Sequence, residues 1–76
     1  MPHVIVKLYA GRSEQQKARL AAEVTKAVMA CAGCGEDAVS VSIQDVAPEE
    51  WTEKVYKPDI MANPDTLYKR PGYNPL

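Results

Sequence analysis

The chain has no phenylalanine, one histidine, one tryptophan and two cysteines in 76 residues. Two cysteines make no disulfide framework, and without a second pair of ligands they make no zinc site. Basic residues are not in excess either. Nine Lys and Arg stand against ten Asp and Glu, for a net charge of −1. Phosphate backbones are gripped by clustered Lys and Arg, so nucleic acid is not an expected partner. No apolar run approaches the roughly 20 residues that cross a bilayer, so no membrane is expected. The amino end has neither a charged n-region nor a long apolar h-region. A cytoplasmic protein with reduced thiols is therefore expected. Bulk is lacking too. A domain this small hides only about 60% of the surface of its unfolded chain. With no disulfide or metal as a staple, oligomerisation is the expected remedy.

What is present is a clear alternation. In residues 2–9, PHVIVKLY, Pro2, Val4, Val6 and Leu8 share one face, and His3, Ile5, Lys7 and Tyr9 the other. That period of two predicts a strand. Gly11 breaks it, and Ser13 followed by Gln16 predicts a capping box at a helix start. Good helix formers follow, with Leu20, Val24, Ala27, Val28 and Cys31 as a core-facing stripe. Gly33 and Gly35 end the helix. Residues 38–46, AVSVSIQDV, alternate again and predict a second strand. Strand, amphipathic helix and strand read as a βαβ unit with parallel strands. Pro48 opens a short helical stretch in APEEWTEKVYK. Pro58, Pro64, Pro71 and Pro75 then punctuate residues 57–76, which read as a tail with a few helical turns. The tail is expected to pack Ile60, Leu67 and its tyrosines on the body or on a neighbouring subunit. All 76 residues form one domain.

Several residues could carry chemistry. Pro2 suits a strand start, because it has no N–H to give the ladder. If Met1 is removed, it becomes a secondary amine at a chain terminus. Partial burial and a nearby cation would lower its pKa towards the range useful for a general base. Arg12, in the turn after the first strand, is a fork for a carboxylate. A strand of about eight residues spans roughly 25 Å, so Pro2 and Arg12 could meet only across subunits. Trp51 is a core or interface anchor, or the apolar wall of a pocket. His3, beside Pro2, is a candidate for the pocket rim. The CAGC of Cys31–Cys34 falls at a helix end, where the dipole opposes thiolate formation. Redox and metal chemistry are therefore set aside, and Cys31 is expected in the core.

Taken together, MPHVIVKLYAGRSEQQKARLAAEVTKAV, AVSVSIQDV with APEEW, and the tail KRPGY resemble the tautomerase superfamily. The similarity is to its small 4-oxalocrotonate tautomerase-like members. PHVIVK, EQQKA and PGY look most like the short subgroup that includes para-phenylpyruvate tautomerase. The resemblance implies an α+β fold in which βαβ protomers pair their sheets into a dimer, or further into a trimer of dimers. It implies removal of Met1, Pro2 as general base, and no cofactor. It implies that Arg12 meets a substrate carboxylate and that Trp51 stands where the family has an aromatic wall. The substrate would be a small enol or dienol α-keto acid.

One position departs from the family pattern. Ser40 stands where the family carries a second arginine, and serine offers a hydrogen bond without charge. That shifts the expectation from a dicarboxylate such as 2-hydroxymuconate to a monocarboxylate, the enol of an arylpyruvate. Two rival readings remain open from sequence. A hydratase or dehalogenase using the same proline would need an additional acid or an activated water near Pro2. An oligomeric binding module that has lost turnover would be favoured by a retained Met1, whose peptide bond turns the proline nitrogen into an amide.

Overall fold

The structure is a computed structural model that describes residues 1–76. Its order is β1 (His3–Tyr9), α1 (Glu14–Ala32) and β2 (Ser40–Val46), with a short 3₁₀ turn at Glu36–Ala38 before β2. A 3₁₀ turn at Pro48–Glu50, a π-helical segment at Thr52–Met61 and a last 3₁₀ turn at Pro64–Thr66 complete the chain. The strands are parallel and in register from His3↔Ser40 to Tyr9↔Val46. No helix is long and apolar enough to cross a membrane.

The ends of α1 are set by local chemistry. Ser13 Oγ accepts the Gln16 N–H at 3.1 Å, and Gln16 Oε1 accepts the Ser13 N–H at 2.8 Å. This is the capping box the sequence predicts. At the other end Gly33 is left-handed, with φ 69° and ψ 45°, and its N–H reaches the Met29 carbonyl at 3.1 Å.

Register sorts the sheet into two faces. Val4, Val6 and Leu8 lie with Val41, Ile43 and Asp45, and all but Asp45 are half-buried. Lys17 on α1 donates to Asp45 at 2.8 Å, which sets α1 over this face. Leu20, Val24 and Val28 of the predicted stripe are half-buried, but Ala27 and Cys31 are exposed. The expectation of a core Cys31 is thus corrected. A 19-residue helix is roughly 28 Å long and a seven-residue strand about 23 Å, so the last turn of α1 overhangs the sheet.

On the opposite face stand His3, Ile5, Lys7 and Tyr9 beside Ser40, Ser42, Gln44 and Val46. The segment Thr52–Met61 lies against it, joined by a Lys7–Asp59 ion pair and by a Tyr9–Trp51 ring contact. Residues 57–76 read from the sequence as a tail with a few helical turns, and helical structure does continue through Pro58 to Met61, with one more turn at Pro64–Thr66. Proline has no N–H, and its ring crowds the carbonyl four residues before it. The wider i→i+5 turn gives that ring room, as in the Ala62 N–H to Lys57 carbonyl bond of 3.1 Å. Asn63 Nδ2 then donates to the Pro58 carbonyl at 2.8 Å and caps the segment.

The protomer is open. Only Val55 and Tyr56 are buried. The radius of gyration is 13.8 Å, against about 11 Å for a compact domain of this length. The accessible surface is 5727 Å², where a folded monomer of this mass shows roughly 4,600 Å².

Candidate active site

At the amino end of the sheet, the Ser40 N–H donates to the Pro2 carbonyl at 3.2 Å. His3 Nδ1 and Ser40 Oγ are hydrogen-bonded at 2.6 Å, which follows from their being register partners. Pro2 is half-buried, while His3 and Ser40 are exposed. The first strand residue, its neighbour on β2 and the candidate base thus form one small polar group.

The carboxyl end has a different chemistry. The Ala10 N–H extends the ladder to the Val46 carbonyl at 3.0 Å. Gly11 follows with φ 126°, a conformation that favours glycine, and turns the chain so that Arg12 stands at the strand end. Arg12 Nη1 donates to the Tyr9 carbonyl at 3.2 Å, and no carboxylate pairs with the guanidinium. The Trp51 ring meets Tyr9 edge-on, with centroids 5.2 Å apart at 83°. Its indole N–H donates to Tyr73 Oη at 2.8 Å. Tyr73 leans in turn on Tyr56, at 5.7 Å. Tyr9, Trp51 and Tyr73 enclose a hollow of 290 Å³.

Between the two ends lies a larger cleft of 420 Å³, lined by Ile5, Lys7, Trp51, Val55, Asp59 and Ile60. Trp51 borders both spaces. Two cations, one on β1 and one in the turn after it, differ in state, because Lys7 is paired with Asp59 and Arg12 is free of any acid. A third cation, Lys17, is bound by Asp45 at 2.8 Å and Glu14 at 3.0 Å. The hydrogen bond from Asp45, then that from Glu14, holds its pKa above the usual lysine value.

The five residues singled out from sequence therefore fall into two groups within one protomer. Pro2, His3 and Ser40 share the amino end, and Arg12 and Trp51 share the carboxyl end. The seven residues of β1 separate them by about 23 Å. Sequence reasoning missed Tyr73, Tyr9, Lys7 and Asp59. Strand alternation already put Lys7 and Tyr9 on one face with Ile5. The tail tyrosines are expected to pack on the body or on a neighbouring subunit, but nothing in the sequence points Tyr73 at Trp51 or Asp59 at Lys7, since each reaches its partner through tertiary packing alone. A hollow of three aromatic rings, with an acid-free guanidinium bonded to the backbone of one of them, suits a planar carboxylate that carries an apolar or aryl group.

Comparison with known proteins gives the family. Residues 2–54 match the family model Tautomerase, described as tautomerase enzyme. A Xylella fastidiosa protein named "Probable tautomerase" is 43% identical over 76 residues, spanning 100% of this chain and 93% of its own. Tautomerase PptA of Pectobacterium carotovorum is 35% identical over 97% of this chain and 99% of its own. Among solved structures, the 4-oxalocrotonate tautomerase isozymes of Methylibium petroleiphilum supply a chain with TM-score 0.64 and 38% identity. The match covers 66% of this chain and 81% of that one. TomN, a 4-oxalocrotonate tautomerase homologue, has TM-score 0.64 and 36% identity over 66% of this chain and 77% of its own. The family model begins at Pro2 and stops just after Trp51, so it takes in the five singled-out residues and leaves Tyr73 outside. The chain belongs to the Tautomerase family and is an isomerase.

Proposed function

We propose that this tautomerase ketonises the enol of an arylpyruvate-type monocarboxylate without a cofactor, with Pro2 as its general base. Once Met1 is removed, the Pro2 nitrogen is a secondary amine. It takes the proton from the enol hydroxyl, and the oxygen electrons close the carbonyl. The carbon–carbon double bond then takes that proton back from the Pro2 ammonium at the adjacent carbon. The proline ends as it began, so no oxidant, metal or second substrate enters the balance. An ordinary α-amino group titrates near 8, and a secondary amine is more basic. Half-burial at the head of β1 favours the neutral base, and so would the Arg12 that a partner protomer brings. Arg12 holds the carboxylate, Trp51 walls the ring, and His3 and Ser40 form the polar rim beside Pro2.

The observation that carries this reading is the ring hollow of Tyr9, Trp51 and Tyr73, with the acid-free Arg12 bonded to the backbone carbonyl of Tyr9, one of its walls. Because Pro2 lies a strand length away, the working site takes Pro2 from one protomer and Arg12 with Trp51 from its partner. The openness of the single chain supports such pairing. Its surface exceeds that of a typical monomer by roughly 1,100 Å², more than the ~800 Å² each partner gives to a standard interface. The test is ketonisation of phenylenolpyruvate, followed by absorbance, in wild type and Pro2→Ala, with intact mass to establish loss of Met1. Equal rates in the two proteins would remove Pro2 from the mechanism.

A further inference from the structure

The larger cleft holds a feature that tautomer chemistry does not use. Its wall is apolar at Ile5, Trp51, Val55 and Ile60, and it contains one cation, Lys7, already paired with the carboxylate of Asp59. The Lys7 and Asp59 side chains remain 30% and 41% exposed, so a ligand entering the cleft reaches both. Lys7 stands on the same strand face as Tyr9 and in the same cleft as Trp51, within the recognition region of the site. Ser40, at the amino end, has no charge to offer and its hydroxyl is engaged by His3.

From this arrangement we propose that Asp59 sets substrate charge specificity by masking Lys7, so that the cleft admits a neutral ring and rejects a second carboxylate. The inference rests on the substrate-site reading above and adds the residue that decides between monocarboxylate and dicarboxylate ligands. Asp59 is held opposite Lys7 by the segment Thr52–Met61, so it competes as an intramolecular ligand at high effective concentration. A dicarboxylate must displace it and leaves an unpaired acid behind. An aryl group displaces nothing and gains apolar contact with Trp51 and Ile5. Selectivity then comes from a repulsive element as much as from an attractive one. Asp59 acts through Lys7 and is a positioning residue.

Binding can be read without turnover, because Trp51 is the sole tryptophan and borders the cleft. The probes are phenylacetate, an unreactive aryl monocarboxylate, and cis,cis-muconate, an unreactive dicarboxylate. Each is titrated by quenching of Trp51 emission. Wild type is expected to favour phenylacetate. Asp59→Asn should move the ratio of dissociation constants about tenfold towards muconate, the scale of one charge-assisted contact. Asp59→Ser should move it in the same direction, which guards against a fault of one substitution. Adding Lys7→Met to Asp59→Asn should return the ratio to its wild-type side. A ratio unmoved by both Asp59 variants, or moved equally with Lys7 absent, overturns the proposal. Since no proton transfer is measured, such a result leaves the role of Pro2 standing. Equal ketonisation by Pro2→Ala, in turn, leaves this result standing.

Discussion

The two ends of β1 are built for different tasks. The amino end is small and polar, with Pro2, His3 and Ser40 tied by hydrogen bonds of 3.2 and 2.6 Å across the sheet. The carboxyl end is large and aromatic, with Trp51 edge-on to Tyr9 and hydrogen-bonded to Tyr73, and with a free guanidinium on the Tyr9 carbonyl. One end has a group that can move a proton, and the other has groups that recognise a shape and a charge. A single protomer keeps them apart by the full length of the strand. On the proposed reading, proton transfer and recognition are separable by mutation, and pairing of two copies would join them.

The largest effect should come from the amino end. Pro2→Ala replaces a constrained secondary amine by a primary one and should lower kcat by 10²-fold or more, in the range of about 10²–10⁴ for a general base. KM should move little, because recognition lies elsewhere. Arg12→Ala should do the reverse, raising KM by tens of fold if the carboxylate is held equally in ground and transition states. The pair of variants also tests where the two ends meet. In a symmetric dimer, mixed and reassembled Pro2→Ala and Arg12→Ala protomers form one intact site per heterodimer. About a quarter of wild-type activity should then return on equal mixing, given random pairing. No recovery, in a mixture whose exchange is verified by mass, would place both residues of each site on the same chain.

Much of this contrast was legible in the sequence, and the illegible part has a physical cause. Strand alternation, the Ser13–Gln16 box and Gly33 are local signals, and each appears where expected. Pro2 and Arg12 could be placed at opposite strand ends from rise per residue alone. Helical turns are expected beyond Pro58, but their π-helical form was not legible, because proline reads locally as a breaker. Cys31 misled because helical periodicity says which face a residue shares but not where the sheet beneath it ends. Tyr73 is expected to pack somewhere on the body or a neighbour, but its partner was not legible. Its position follows from a side-chain bond to Trp51 across a sequence separation of 22 residues.

That bond gives a smaller and sharper test of the aromatic end. Tyr73→Phe keeps the ring against Tyr56 and removes only the acceptor for the indole N–H. The free indole then turns to water or loosens. Trp51 emission should shift, and KM for phenylenolpyruvate should rise by a few fold, with kcat nearly constant, since one ordinary hydrogen bond contributes about 1 kcal/mol. A kcat loss equal to that of Pro2→Ala would break the division between the ends, because it would give the tail a part in proton transfer.

The smallest effect belongs to the tie that holds α1 beside the same end. Lys17 bridges Glu14 and Asp45, and its pKa is raised, first by the Asp45 hydrogen bond and then by that of Glu14. A raised folded-state pKa means the folded protein holds this proton more tightly than the unfolded chain does. The resulting stability is fully present below the unfolded value of about 10.5 and is lost as pH rises through the folded one. Asp45→Asn should therefore lower Tm slightly and evenly across neutral and mildly alkaline pH. The gap from wild type should close at more alkaline pH, where Lys17 is neutral in both proteins. Ketonisation should be unchanged, because this pair sits on the helix face of the sheet and the ring hollow on the other. A change in KM from Asp45→Asn would mean that α1 positions Arg12, and the carboxyl end would then depend on both faces of the sheet.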